Sequence, residues 1–195
     1  MKKRFFDVAI SILLLMITFP LWLLLMVVIP IDSTGYPFFF QERTGRWGKL
    51  FTIYKFRTMR RGSRGSLLTS FSDVRITRIG KVLRRYHLDE LPQLLNVLRG
   101  EMSLVGPRPE VPEYTRLYSG KQKEVLSVRP GITNYASIVF ANEQEHLARF
   151  SNPEEGYIHE IMPRKIMLNL KYIREQSFVQ DIRILLRTVN KIRGK

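Results

Sequence analysis

The sequence predicts a mainly helical α+β fold that carries a small β-hairpin and is associated with a membrane. Three observations predict it: an uncharged apolar segment at the amino terminus, two short aromatic and β-branched runs after it, and several later stretches with helical periodicity. At 195 residues the chain is long enough for one domain with a membrane element. It has no cysteine, which excludes disulfides, cysteine-based metal sites and a cysteine nucleophile.

The apolar segment covers residues 8–31, which contain no charged side chain, and Lys2, Lys3 and Arg4 precede it. A straight helix of this length would extend ~36 Å, enough to cross the hydrocarbon core of a bilayer. Pro20 lies near the centre, and a proline removes a backbone donor and clashes with the carbonyl four residues earlier. We therefore expect a helix that is broken at Pro20 and re-enters the leaflet it came from. A single span with a kink and a cleaved signal peptide are the alternatives.

Charge favours the re-entrant arrangement. Basic residues before an apolar segment stay in the cytoplasm, and a single crossing would place the basic remainder of the chain on the opposite side. A re-entrant helix keeps both basic ends on the cytoplasmic side. We therefore expect a re-entrant membrane helix over residues 1–31 and a cytoplasmic, membrane-surface domain over residues 32–195.

Residues 38–41 and 50–58 are predicted strands of a hairpin, because they are rich in aromatic and β-branched residues and two glycines lie between them. Side chains alternate along a strand, so Lys55 and Arg57 share a face. Both could reach a phosphate, and the alternative is a pair of solvated charges.

Two amphipathic helices are predicted, over residues 73–86 and from residue 178 to the carboxyl terminus, each with a basic stripe. Ser177 with Gln180 forms a capping-box pattern before the second. Another helix is predicted to start at Asn152, which is followed by a proline and two acids. Beside a membrane anchor, the two amphipathic helices are expected to contact anionic phospholipid headgroups. A solvated face or a protein-binding surface are the alternatives. Residues 60–72 read as a mobile basic loop.

A pair of carboxylates stands out near the middle of the chain. Asp89 and Glu90 open a leucine-rich segment, Arg84 precedes them closely, and Arg108 lies between two prolines in a rigid turn. Arg129 lies in a second turn of the same kind. Carboxylates among arginines suit phosphate chemistry, in which an anionic nucleophile must meet an anionic substrate. Alternatively, the two acids only cap a helix amino terminus.

Several linked motifs carry a resemblance to a known family. They cover about residues 3–136 and occur in this order: Tyr-Lys-Phe-Arg-Thr-Met from residue 54, Asp-Val-Arg-Ile-Thr-Arg-Ile-Gly from residue 73, Leu-Asp-Glu-Leu-Pro-Gln-Leu-Leu-Asn-Val-Leu-Arg-Gly from residue 88, Met-Ser-Leu-Val-Gly-Pro-Arg-Pro from residue 102 and Val-Arg-Pro-Gly-Ile-Thr from residue 128. Together they closely resemble the bacterial sugar transferases, which are small monotopic phosphoglycosyl transferases.

The resemblance implies an enzyme that transfers a phospho-sugar from a UDP-sugar to polyprenyl phosphate in the membrane and releases UMP. Asp89 matches the family's nucleophile, which would carry a phospho-sugar. Glu90 matches its acidic partner, which would help to bind magnesium or relay the proton of the acceptor. Both would bind Mg²⁺, which offsets diphosphate charge. Four basic positions match those expected to bind substrate phosphate and nucleotide: Lys55, Arg84, Arg108 and Arg129. The resemblance also implies the bacterial inner membrane, with the catalytic domain facing the cytoplasm.

The sequence departs from the family in two places. Phe19 precedes Pro20 where relatives often have serine, and residues 134–137 read Asn-Tyr-Ala-Ser where most have Gly-x-Ala-Gln. The second departure lies where sugar selection could be determined, so the sequence does not indicate the sugar.

The net charge of +15 also fits a second class of function, a non-catalytic, membrane-anchored basic protein that binds anionic lipid or nucleic acid. We expect no nucleic-acid partner, because an apolar anchor has no role in a nucleic-acid module. The carboxylate pair with ordered arginine turns favours the enzyme, since passive binding does not need it.

Overall fold

The computed structural model describes residues 2–62, 73–140, 143–147 and 149–193. The basic loop predicted for residues 60–72 lies outside this part of the chain from residue 63 onward.

The amino-terminal helix α1 covers Lys2–Asp32 and is continuous through Pro20. The break predicted at Pro20 is therefore not observed. Proline removes one hydrogen bond to the carbonyl of Met16, but the bonds of the flanking turns maintain the helix. Thr18 Oγ1 donates to the carbonyl of Leu14 at 2.7 Å, so this hydroxyl does not replace the bond that Pro20 lacks.

One face of α1 packs on the rest of the protein, and the opposite face is apolar and exposed. Asp7, Ser11, Leu25 and Ile29 are buried on the packed side. The exposed side includes Ile12, Met16, Ile17, Phe19, Leu23 and Val27. Within the described residues, α1 is the helix that is long and apolar enough to cross a membrane.

The predicted hairpin is confirmed. Strand β1 (Phe38–Thr44) pairs antiparallel with β2 (Leu50–Phe56), and Phe39 lies opposite Lys55. Asn96 is fully buried and forms hydrogen bonds with backbone groups on the edge of β2 that faces away from β1. Its Nδ2 donates to the carbonyl of Thr52 at 2.7 Å, and its Oδ1 accepts from the amide of Tyr54 at 3.2 Å.

Helix α2 covers Arg78–Arg85 and is shorter than the predicted helix of residues 73–86. It begins where Thr77 Oγ1 accepts from the amide of Gly80 at 2.9 Å, while Asp73 instead forms a local ion pair with Arg75. The last residue of α1, Asp32, accepts from the amide of Ile79 at 2.9 Å. The end of α1 is therefore attached to the first turn of α2.

The centre of the chain contains α3 (Gln93–Arg99), which ends at Gly100 in the left-handed conformation (φ 82°), and α4 (Pro112–Thr115). Between and after them, β3 (Ser103–Val105) and β4 (Gly131–Thr133) form a parallel pair. This pair was not predicted. Two three-residue strands are too short to produce a periodic pattern, and a parallel partner lies far away in sequence.

The carboxyl-terminal part is helical: α5 (Tyr135–Val139), α6 (Glu143–Leu147), α7 (Pro153–Gly156), α8 (Met162–Glu175) and α9 (Phe178–Arg193). A π-helical turn, Tyr157–Ile161, joins α7 to α8. The predicted helix starts are confirmed, because Asn152 Oδ1 accepts from the amide of Glu154 at 3.1 Å and Ser177 Oγ from that of Gln180 at 3.2 Å. One buried cluster joins β2, α3, β3, α8 and α9, including Ile53, Val97, Met102 and Tyr172.

Candidate active site

The two predicted carboxylates lie in a separate 3₁₀ turn, Leu88–Glu90, between α2 and α3. The residue before the turn, His87, has a φ of 56°, a conformation that costs free energy for any residue with a side chain. It separates the end of α2 from the turn, in which both acids are buried. Asp89 and Glu90 are only 8% and 7% exposed, which argues against the simple helix-capping alternative.

Glu90 binds two cations. Its Oε1 lies 2.7 Å from Lys55 Nζ and 2.5 Å from one terminal nitrogen of Arg108, whose other terminal nitrogen donates to Oε2 at 3.3 Å. Burial by itself would raise the pKa of Glu90, but the charges of Arg108 and Lys55 outweigh burial and hold it well below its usual value. Glu90 is therefore ionised and anchors both cations.

Asp89 behaves differently from its neighbour. Among the described residues it forms no ion pair, and its pKa is raised. Burial is the main cause, and the adjacent Glu90 charge adds to it against the opposing charges of Lys55, Arg84 and His87. Two adjacent carboxylates with opposite pKa shifts are typical of a catalytic pair, in which one acid reacts and the other orients its surroundings.

The cations around the pair come from three different elements. Lys55 comes from β2, and loss of water around its ammonium lowers its pKa although Glu90 partly offsets this. Arg84 comes from α2, where its Nε donates to Thr58 Oγ1 at 2.8 Å and its charge acts on Asp89. Arg57 is not part of this group, because it donates to the carbonyls of residues 33–35 after α1.

Arg108 comes from the turn after β3, and backbone contacts fix the turn. The amide of Gly131 donates to the carbonyl of Pro107 at 2.8 Å, and the amide of Gly106 to that of Thr133 at 3.1 Å. A Cβ on Gly131 would lie 2.0 Å from the nitrogen of Gly106, so only glycine permits this close approach. The two arginine-bearing motifs are therefore joined through their backbones.

Arg129 is not brought to the carboxylates. Its side chain is exposed, and its Nε donates at 2.8 Å to the carbonyl of Gly100, at the far end of α3. A basic side chain at this position satisfies a carbonyl that the helix leaves free. Its motif supports the site through Gly131 instead.

The sequence did not indicate the side chains that contact the residues directly after Arg108. Glu110 follows Pro109 directly, and it contacts Arg43 and Tyr157, which lie 67 and 47 residues away in the chain. The only sequence signal was the position of an acid next to the Pro-Arg-Pro motif. No spacing links the other two residues to it.

The donor set permits one kind of metal site. Within the described residues, no cluster of three or more His, Cys, Asp or Glu residues could hold a metal ion. Mg²⁺ is, however, commonly bound by one or two carboxylates, with waters and substrate phosphate oxygens completing its shell. Asp89 and Glu90 could bind Mg²⁺ only in this way, because the side chains of Lys55 and Arg108 already occupy the carboxylate of Glu90.

The family model described as "Bacterial sugar transferase" matches residues 1–195. An uncharacterized sugar transferase of Bacillus subtilis (strain 168), EpsL, is 41% identical over 192 residues, which cover 97% of this chain and 86% of the relative. A UDP-glucose:undecaprenyl-phosphate glucose-1-phosphate transferase of Caulobacter vibrioides is 37% identical, over 97% of this chain and 68% of the relative.

A third relative has another sugar in its name. It is a UDP-N-acetylgalactosamine-undecaprenyl-phosphate N-acetylgalactosaminephosphotransferase of Aeromonas hydrophila, 33% identical over 97% of this chain and 43% of the relative. Similar identities thus accompany different sugars, while the family match extends over the whole sequence. The chain belongs to the bacterial sugar transferase family.

Proposed function

We propose that this protein transfers a sugar 1-phosphate from a UDP-sugar to a polyprenyl phosphate, such as undecaprenyl phosphate, and releases UMP. The relatives' names give this reaction with glucose and with N-acetylgalactosamine. The observation that carries the proposal is the buried pair in which Glu90 binds two cations and Asp89 has no ion pair among the described residues. The product would begin a membrane-linked glycan such as an exopolysaccharide.

The first half of the proposed reaction uses Asp89 as a nucleophile. A carboxylate oxygen of Asp89 attacks the sugar-bearing phosphorus of the UDP-sugar, and the bond from that phosphorus to the bridging oxygen breaks. The bridging oxygen leaves with UMP and takes the electron pair. The sugar phosphate then remains on Asp89 as an acyl phosphate, as occurs with other aspartate nucleophiles.

The second half regenerates the carboxylate. A phosphate oxygen of the polyprenyl phosphate attacks the same phosphorus, the bond to Asp89 breaks, and a polyprenyl diphosphate sugar forms. Both steps bring anions together. Lys55, Arg84 and Arg108 supply the positive charge that makes this approach favourable.

Glu90 has an orienting role in this proposal. Its pKa is well below the usual value, so it is a poor proton carrier at neutral pH. It fixes Lys55 and Arg108 where the transferred phosphate must lie. When bound, Mg²⁺ would be held by Asp89 and Glu90 with phosphate oxygens, and it would offset diphosphate charge and polarise the bond that breaks.

We infer that both ends of α1 lie on the cytoplasmic side and that its exposed apolar face is embedded in the cytoplasmic leaflet. Both ends of α1 contact the same domain: Lys3 pairs with Asp181, and the carbonyls after α1 accept from Arg57. Its exposed apolar face needs an apolar environment. On α9, Val179 and Leu186 are exposed beside Arg183 and Arg187, which suits contact with anionic phospholipid headgroups.

The test is UMP release from a panel of UDP-sugars with undecaprenyl phosphate in nanodiscs. We expect one or a few sugars to support turnover in the wild-type protein and none to do so in Asp89→Asn. If no sugar in the panel supports UMP release while the protein still binds anionic vesicles, the function is that of a non-catalytic lipid-binding protein instead.

A further inference from the structure

A partly buried polar network adjoins the turn that carries Arg108, and the proposed reaction does not use it. Its centre is the carboxylate of Glu110. Tyr157 donates its hydroxyl to Glu110 Oε2, a terminal nitrogen of Arg43 lies 3.5 Å from Oε1, and the amide of Val111 donates to Oε1 at 3.1 Å. The carboxylate is therefore held through both oxygens.

Tyr157 is a fixed donor in this network. It is 2% exposed, and its ring packs against that of Tyr114 with centroids 4.8 Å apart. Burial, followed by the charge of Glu110, raises its pKa, so the hydroxyl stays protonated at any working pH. Lys165 Nζ donates to the same hydroxyl oxygen at 3.1 Å and pairs with Glu143 at 3.0 Å. The Tyr157 hydroxyl thus has a single hydrogen to donate, and the carboxylate of Glu110 accepts it.

Arg43 and Thr44 join the network to the hairpin. The guanidinium of Arg43 donates to the carbonyl of Pro109 at 3.3 Å and to Gln41 Oε1 at 2.7 Å. The amide of Thr44 donates to the backbone carbonyl of Glu110 at 2.9 Å. The Arg108 turn is therefore held at Pro107 by Gly131 and at Pro109 and Glu110 by β1 and Tyr157.

We propose that Glu110 is a positioning residue that keeps Arg108 in register with Glu90 and with the substrate phosphate. Arg108 contacts Glu90 through two nitrogens, and such a bidentate contact is sensitive to displacements of about 1 Å. The side-chain partners of Glu110 among the described residues are Arg43, Val111 and Tyr157, and Asp89 is not one of them. The effect of Glu110 on transfer passes through Arg108, so this inference rests on the proposed function for its kinetic readout.

The decisive variant is Tyr157→Phe, which removes the donor to Glu110 and keeps the ring. We expect kcat/KM for the UDP-sugar to fall on the order of tenfold. In an Arg108→Lys background, where the bidentate contact is already lost, the same change should cost less than about twofold. Non-additivity of this kind is expected of residues that act as one unit.

Thr115→Val is the matched control. It removes a buried hydroxyl pair with Thr44 at 2.7 Å, close to Glu110 but without contact to its carboxylate. This variant should lower the melting temperature while keeping kcat/KM near that of the wild type. Equal kinetic losses in Thr115→Val and Tyr157→Phe at matched stability, or additive losses of Tyr157→Phe and Arg108→Lys, would overturn the positioning role.

Amide hydrogen exchange separates this inference from the proposed function. In Tyr157→Phe the amide of Val111, which donates to Glu110, should exchange faster than in the wild type, whether or not the protein transfers sugar phosphate. Thr115→Val should leave it nearly unchanged. A wild-type protein inactive on all UDP-sugars refutes the reaction alone. Unchanged exchange at Val111 in Tyr157→Phe refutes the positioning role alone.

Discussion

Lys3, in the first turn of α1, forms an ion pair of 2.5 Å with Asp181 in the first turn of α9. Lys3 also donates to the carbonyl of Val105 at 3.0 Å, and Tyr172 donates its hydroxyl to Asp181 at 2.7 Å. Asp181 is 2% exposed, so the partly exposed Lys3 supplies the positive charge that a buried carboxylate needs. The basic residues that read as a signal for membrane orientation thus also attach α1 to the domain.

This attachment predicts the topology of α1. Single cysteines at Lys2 and Lys49, both exposed and in a chain without cysteine, should react with a membrane-impermeant maleimide from the same, cytoplasmic side. Asp181→Asn should release the start of α1 in part of the population and make some Lys2 cysteine react from the periplasmic side. Labelling of the two cysteines from opposite sides in the otherwise wild-type protein would mean that α1 is a single span.

Asp89 is predicted to carry the transferred group. Incubation with the UDP-sugar but without the lipid acceptor should add the mass of one sugar phosphate to the wild-type protein, as measured by intact mass spectrometry. Asp89→Asn should show neither adduct nor turnover, because an amide oxygen is a far weaker nucleophile. Near-normal turnover of this variant would remove Asp89 from the mechanism.

The raised pKa of Asp89 predicts an acid limb in the pH profile of kcat/KM. A nucleophilic carboxylate must be ionised, so activity should fall as pH decreases through its pKa, with a midpoint above the ordinary aspartate value of about 3.9. The other group that could produce this acid limb is the adjacent His87. Asn tolerates a positive φ, so His87→Asn should keep the limb if Asp89 is responsible and lose it if the histidine is.

Arg108 and Arg129 should respond differently to the same substitution. Arg108→Lys keeps the charge but loses the two-nitrogen contact, and we expect kcat/KM to fall about tenfold or more, equivalent to ~1.4 kcal/mol. Arg129→Lys should leave kinetics near those of the wild type, because its side chain binds the carbonyl of Gly100 instead of the carboxylates. Steady-state UMP release measures both, and equal losses would mean that Arg129 also reaches the substrate.

Magnesium should be required for turnover. Excess EDTA should stop UMP release and leave the circular dichroism spectrum unchanged, because the described residues hold no metal cluster that could support the fold. Added Mg²⁺ should restore activity. Full turnover in EDTA would assign the neutralisation of the diphosphate to Lys55, Arg84 and Arg108 alone.

Local patterns predicted those parts of the fold that depend on local interactions. The hairpin followed from two β-rich runs, and the starts of α7 and α9 followed from Asn152 and Ser177, whose side chains bind amides within three residues. The carboxylate pair and its contacts with Lys55 and Arg108 agree with residues chosen from the motifs.

The break predicted at Pro20 is wrong for a local reason, whereas the other features that the sequence did not indicate depend on distant partners. Pro20 lowers helix stability locally, but the turns on either side hold α1 continuous. The strands β3 and β4 exist because Gly106 and Gly131 approach closely, which no sequence spacing encodes. The structure places the Arg129 side chain on the carbonyl of Gly100, a contact that its motif does not indicate, and its contact with substrate stays a prediction. Glu110 becomes important only once Arg43 and Tyr157 surround it.

The hydrogen bond from the amide of Ile79 to Asp32 has a consequence for the reach of the enzyme. It attaches the eight-residue helix α2, about 12 Å long, to the end of α1, and the turn that carries Asp89 follows α2. The carboxylate of Asp89 is therefore held at a set distance from the end of α1. In the proposed reaction a lipid phosphate would react only when its head group reaches that distance, so acceptor selection would depend on how far the phosphate projects from its hydrocarbon chain.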